Sequence, residues 1–168
     1  MKNFCIFLVL LFGVFACDVP FEEEHEMDLK SGTMVERTIK FQRASGTMEV
    51  IWNPDACSET ELQMVIAGGG NATFLGNFTV LNTLCINEQG DPVSPILGEL
   101  TAANGDMLYS IVTTPPWEEN GMVYYRYDIR SELCTGRFEG ATGFIIMYGD
   151  IDHVAMTWDL KGIGRIMF

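Results

Sequence analysis

From residue 34 onward the apolar residues of this chain recur at every second position, and a period of two is the mark of half-buried strands. The clearest run is Met122 to Arg130, where Val123, Tyr125, Tyr127 and Ile129 share one face and Arg126, Asp128 and Arg130 share the other. A second run sets Val154, Met156, Trp158 and Leu160 against His153, Thr157, Asp159 and Lys161. Each strand thus has a core face and a wet face. Nowhere do apolar residues recur at helical spacing through three turns.

Turn-forming residues divide the remainder. Asn104-Gly105 reads as a type I′ hairpin pair between strands ending at Ala103 and beginning at Asp106. Further turns are expected at Asn53-Pro54-Asp55, Gly68-Gly69-Gly70, Asn87 to Pro92, Pro115-Pro116, Asn120-Gly121, Gly136 to Gly143 and Tyr148 to Asp152. The strands between them fall near 34–52, 62–67, 73–86, 95–103, 106–114, 121–131, 142–148 and 153–165, the first bending at Ser45-Gly46. Eight consecutive strands on short turns predict an all-β fold, an eight-stranded antiparallel up-and-down barrel whose first and last strands close without a free edge. The interior of such a barrel is filled by side chains or holds one small ligand.

The chain begins differently. Met1-Lys2-Asn3 is a short positive start, and Phe4 to Ala16 is an uncharged run of 13 residues that ends at Cys17. A bilayer span needs about 20 apolar residues, so the run fits the apolar core of a secretory signal peptide. Val14-Phe15-Ala16-Cys17 resembles the lipobox of bacterial lipoproteins, in which the cysteine is acylated and becomes the first residue of the mature chain. Several acyl chains on one residue give the stable anchoring that a single chain does not. The expected organisation is a lipoprotein signal peptide over 1–16, an acidic tether over 17–33 after lipidated Cys17, and a barrel domain over 34–168. The tether carries Glu22, Glu23, Glu24, Glu26, Asp28 and His25 and has no apolar periodicity.

Removing residues 1–16 takes only Lys2 from the charged set, so 9 Lys and Arg face 23 Asp and Glu. That balance argues against a nucleic-acid partner. The expected partners are a membrane, through the N-terminal lipid, and a small apolar ligand. The expected location is the cell envelope, at the outer membrane, and the acidic patch behind Cys17 resembles the signal that carries some lipoproteins to the cell surface.

Three stretches carry a further likeness: Gly70-Asn71-Ala72-Thr73-Phe74-Leu75-Gly76-Asn77-Phe78-Thr79, Ala102-Ala103-Asn104-Gly105-Asp106, and Thr135-Gly136-Arg137-Phe138-Glu139-Gly140-Ala141-Thr142-Gly143. With Thr157-Trp158-Asp159-Leu160-Lys161-Gly162 they resemble secreted bacterial proteins of the allene oxide cyclase-like, or calycin-like, barrel type. The resemblance spans most of residues 35–165 and implies a fold. It does not bring the plant cyclases' chemistry with it, because their interior polar residues match no positions here one by one.

Candidate sites follow from the residue types. Tyr125, Tyr127 and Trp158 are expected to face one interior, where apolar bodies with polar tips line either a ligand pocket or an ordinary packed core. Asp150, Asp152 and His153 lie close in sequence, but with no second ligand motif they read as a solvated turn; no metal and no cofactor is expected. With two histidines, one of them in the tether, and no Gly-x-Ser-x-Gly elbow, the chain shows no nucleophilic triad. Cys57, Cys85 and Cys134 remain after lipidation. In an up-and-down barrel Cys57 and Cys85 fall at one rim and Cys134 at the other. Strands of 8–10 residues separate the rims by roughly 25–35 Å, whereas a disulfide needs Cα atoms within about 7 Å. A Cys57–Cys85 bridge and three free thiols are the two readings this leaves.

Two functions stay open on the sequence. One is a non-catalytic, lipid-anchored envelope protein whose barrel is structural or binds a small apolar ligand; the other is a barrel enzyme of isomerase or cyclase type acting on an apolar substrate. The interior discriminates between them: a barrel filled by side chains removes the enzyme, and an open cavity with an inward carboxylate or Asn restores it.

Overall fold

The computed structural model describes residues 35–168; the signal peptide expected over 1–16, Cys17 and the tether expected over 17–33 lie outside the described residues. Nine strands follow one another as β1 (Glu36–Ile51), β2 (Leu62–Ala72), β3 (Gly76–Ile86), β4 (Ile96–Ala102), β5 (Met107–Val112), β6 (Trp117–Glu119), β7 (Met122–Ile129), β8 (Thr142–Asp152) and β9 (Thr157–Met167). They pair antiparallel in the order β5-β4-β3-β2-β1-β9-β8-β7-β6, and a β5–β7 pairing closes the sheet. The result is an eight-stranded up-and-down barrel, with β6 as a short extra strand along the upper half of β7.

Two seams join the meander β1–β5 to the meander β7–β9. The β1–β9 seam runs from Glu36↔Met167 to Thr47↔Thr157. The β5–β7 seam is only Ser110↔Ile129 and Ile111↔Asp128. Above it the chain leaves the ladder at Thr113, and Pro115-Pro116, which have no amide hydrogen to donate, carry it across to β6.

One rim is built by the connections 52–61, 87–95, 113–121 and 153–156; the other by 73–75, 103–106 and 130–141 together with both ends of the described chain. At the second rim Val35 and Phe168 exchange amide hydrogen bonds of 3.1 and 3.2 Å. Two single-turn 3₁₀ helices, Ser131–Leu133 and Gly136–Phe138, fold there. They place Phe138, which has no exposed surface, in the core with Leu75, Ala141, Ile39 and Ile166. Arg137 holds this plug from outside: its guanidinium lies over the Phe74 and Phe138 rings, donates to the Leu75 carbonyl at 3.2 Å and pairs with Asp106 at 3.5 Å. That end of the barrel is filled.

Several local expectations are corrected. The bend in β1 lies at Gln42-Arg43, where the register slips against both β2 and β9, and not at Ser45-Gly46. The extra residue shifts the inward phase, so Ile39 and Phe41 are followed by Ala44 and Met48. Gly68-Gly69-Gly70 is no turn but the middle of β2. A Cβ on Gly68 would lie 2.2 Å from the Ser45 carbonyl oxygen and 2.7 Å from the Trp158 ring, so these glycines permit close approach. Asn104-Gly105 is not a type I′ pair: Gly105 alone has positive φ, and Ala102 accepts from its amide, which makes a three-residue loop with glycine in the left-handed position. The pair with both residues at positive φ is Asn120-Gly121, joining β6 to β7. Finally, β8 runs through Tyr148 to Asp152 without turning, and the chain reverses at 153–156. There the Asp152 carboxylate accepts the amides of Val154 and Ala155, both at 2.9 Å, and Val154 is 96% exposed instead of facing the core.

Candidate functional site

Above the plug the barrel is hollow. A cavity of about 720 Å³ runs from Phe41 and Phe78 up to the rim formed by Pro92 to Pro95, Thr113 to Pro116 and His153. That volume lies in the range that takes a small organic ligand. The walls are the inward phase of the strands, such as Met64, Ile66, Val80, Leu84, Ile145 and Leu160.

Tyr125, Tyr127 and Trp158 all line this cavity, Tyr127 and Trp158 being 8% and 5% exposed. Their strands put them there by alternation alone, as Arg126 between the two tyrosines points outward and lies over the Phe144 ring. The decisive polar residues come from elsewhere. Asn82 on β3 and Ser110 on β5 are the two buried polar side chains among the described residues, and both line the cavity. Asn82 Nδ2 donates to Tyr127 Oη at 3.2 Å, and Ser110 Oγ donates to the Gly98 carbonyl at 3.5 Å. Gly98 makes the grouping possible: a Cβ there would lie 2.9 Å from Ser110 Oγ and 3.0 Å from Asn82 Oδ1. Three polar groups from β3, β5 and β7 therefore meet at mid-height on one wall.

Burial governs their protonation. Removal from water, reinforced by neighbouring Tyr125 and only partly opposed by the Asn82 hydrogen bond, pushes the Tyr127 hydroxyl far above the usual tyrosine range. Burial alone raises Tyr125. Both phenols are neutral donors at physiological pH. Between them, the Tyr127 hydroxyl and the Asn82 amide carry three donor hydrogens and spend one on each other, so in either orientation of the amide a donor is left for a guest. The Trp158 indole N–H has no partner and is the sole buried side-chain nitrogen or oxygen without one among the described residues.

The lining contains no Asp, Glu, Lys or Arg; its one imidazole, His153, is exposed at the mouth. Comparison with family models, with curated proteins and with solved structures finds no match to this chain. The cavity is therefore read from its own chemistry.

The remaining candidates sit apart from it. Cys57 and Cys85 are joined by a disulfide, Cα atoms 5.7 Å apart, which ties the β1–β2 connection to the end of β3 beside the open rim. Cys134 is a buried thiol at the filled rim, raised by desolvation. Among the described residues one group with metal-binding atoms converges, Cys57, Glu61 and Cys85, and its two sulfurs are bonded to each other. Asp152 serves its turn, and the amides it accepts hold its carboxyl below the usual range. Asn82 and Ser110 went unnamed on sequence, yet a signal was present: each is the polar member of an otherwise apolar inward set, Phe78, Val80, Leu84 and Ile86 for one, Leu108 and Val112 for the other.

Proposed function

We propose that this chain is a lipid-anchored protein of the bacterial cell envelope whose barrel binds a small apolar ligand. The observation that carries the binding role is the hollow interior: about 720 Å³ of apolar-walled space with one cluster of hydrogen-bonding groups at Asn82, Tyr127 and Ser110. A protein with a purely structural barrel gains stability by filling such a space, since each missing contact costs packing energy. Support for the anchor is the apolar run ending at Ala16-Cys17 and the acidic stretch behind it. The described chain begins at the filled rim, where Val35 pairs with Phe168. Kinship with allene oxide cyclase-like barrels rests on the glycine, Asn-Gly-Asp and Thr-Gly-Arg-Phe stretches, all three of which include connections at the filled rim.

The alternative, a barrel enzyme of isomerase or cyclase type, draws on the same opening and on the inward Asn82. An amide beside a protonated phenol stabilises negative charge developing on an oxygen but removes no proton. The lining supplies no carboxylate for that step, its one imidazole, His153, stands exposed at the mouth and not on the mid-height wall of the Asn82–Tyr127 pair, and binding is the function the geometry supports best.

The test is a neutral dye. Nile red should gain fluorescence with the mature chain and lose most of that gain in Met64→Trp, which projects an indole into the cavity from β2. Equal enhancement in both proteins would place the dye on the surface and remove the binding role.

A further inference from the structure

We propose that the cavity selects an uncharged ligand, an apolar body bearing a carbonyl or hydroxyl oxygen, over the carboxylate anion of the same chain length. The inference rests on the binding role above and names the class of molecule bound.

The interior argues first. Nothing lining the cavity offers a fixed positive charge, so a carboxylate inside would be desolvated without a counter-ion, a cost of several kcal/mol. What the wall offers is hydrogen-bond donation from neutral groups. The spare donor of the Asn82–Tyr127 pair meets one oxygen acceptor, and Asn82 Oδ1, which has no protein partner, can accept from a hydroxyl or amide.

The mouth argues second, and independently. A fatty anion can escape interior desolvation by leaving its head at the opening, where a lysine or arginine would be needed to pair with it. Here the four connections of the open rim carry Asp55, Glu59, Glu61, Glu88, Asp91, Glu118 and Glu119 and not one Lys or Arg. Six of the seven carboxylate residues are exposed, and Glu61 is half-buried. Of the eight basic side chains among the described residues, Arg130 and Arg137 are in the filled-rim connection, Arg37, Lys40 and Arg165 on the strand ends beside it, and Arg43, Arg126 and Lys161 within β1, β7 and β9, none of them lining the cavity. With a net charge of −13 over the whole sequence, an anion nearing this mouth is repelled over about a Debye length, 8–10 Å at physiological salt. Both ends of the path therefore disfavour negative charge, and neither disfavours a neutral molecule.

The experiment uses the mature chain with Cys17→Ser, oxidised, so that neither lipid nor detergent competes. Decanamide, 1-decanol and decanoate are titrated against bound Nile red at low and high salt. Decanamide and decanol should displace the dye at concentrations about tenfold or more below decanoate at low salt, and added salt should narrow the gap by screening the rim. In the double variant Asn82→Leu, Tyr127→Phe, which removes every donor of the pair, decanamide should weaken by about fivefold or more, the share of at least one hydrogen bond, with little change for decanoate. Decanoate displacing as well as decanamide would overturn the charge selection while leaving the binding role intact. An unchanged decanamide affinity in the double variant would overturn the assignment of the polar contact. Failure of Nile red itself to bind would remove the binding role on which both stand.

Discussion

Opening the Cys57–Cys85 bridge is the perturbation whose size follows most directly from the structure. The two residues are 28 apart in sequence and tie the first hairpin of the barrel beside its open rim. Restricting an unfolded chain over a loop of that length removes about 12 cal/mol/K of entropy, or about 3.6 kcal/mol at 25 °C, from the denatured state. For a barrel of this size each kcal/mol moves the melting midpoint by about 3–5 °C, so loss of the bridge should lower it by about 11–18 °C. The native strands need not move, because the β2–β3 ladder between Leu62↔Ile86 and Ala72↔Gly76 is independent of the sulfurs. The assay is thermal unfolding followed by circular dichroism, for the oxidised protein, the same protein with reductant, and the Cys57→Ala, Cys85→Ala double variant. The reduced parent and the variant should melt close together and well below the oxidised form. A difference under about 4 °C would mean that the unfolded chain is not the state the bridge restrains, and would refute the reasoning.

Two further outcomes are expected. Replacing Cys17→Ser should release the protein from the membrane fraction or leave its precursor uncleaved; unchanged detergent partitioning, with no label from a palmitate analogue, would refute the anchor. Tyr127 has a folded pKa raised above its unfolded value, so its contribution to stability is fully present below about pH 10 and is lost as pH climbs beyond it. Followed by absorbance near 295 nm, an alkaline titration should show one tyrosine ionising only as the barrel unfolds, and ionisation of all five while the far-ultraviolet spectrum is intact would contradict its burial.

Much of this was legible because a strand's two faces are written in alternation. Tyr125, Tyr127 and Trp158 point inward because β7 and β9 are regular there, and no long-range information is needed to say so. What escaped the sequence is what tertiary neighbours decide. Three consecutive glycines look like a turn in isolation, and only the closeness of β1 and the Trp158 ring explains them as the middle of a strand. Asn104-Gly105 and Asn120-Gly121 read alike, yet one closes a three-residue loop and the other a two-residue one, since the strand ends they join differ in register. Gly149 and Asp150 look like a reversal, but eleven β8–β9 pairs carry the strand past them. The hollow interior was the least legible feature of all, because composition does not say whether inward side chains meet across the axis.

The shortness of the β5–β7 seam bears on how the protein keeps from associating with itself. All the other pairings around the barrel are longer, and this one is two residue pairs. If those pairs part, the barrel becomes an open sheet whose ends are β5 and the lower half of β7. Exposed strand edges are templates for pairing with another molecule. The β5 segment, Met107-Leu108-Tyr109-Ser110-Ile111-Val112, has the composition of a self-pairing strand, with no charge, no proline and no glycine. Asp128 and Arg130, ion-paired with Arg126 and Glu132, flank the seam on the β7 side of an edge that β5 itself leaves unguarded. The Arg130 amide bonded to the Tyr109 carbonyl, and the Thr135 amide to the Met107 carbonyl, extend the closure beyond the ladder at 2.9 Å each. The connection that plugs the filled rim thus also covers the strand with most reason to be hidden.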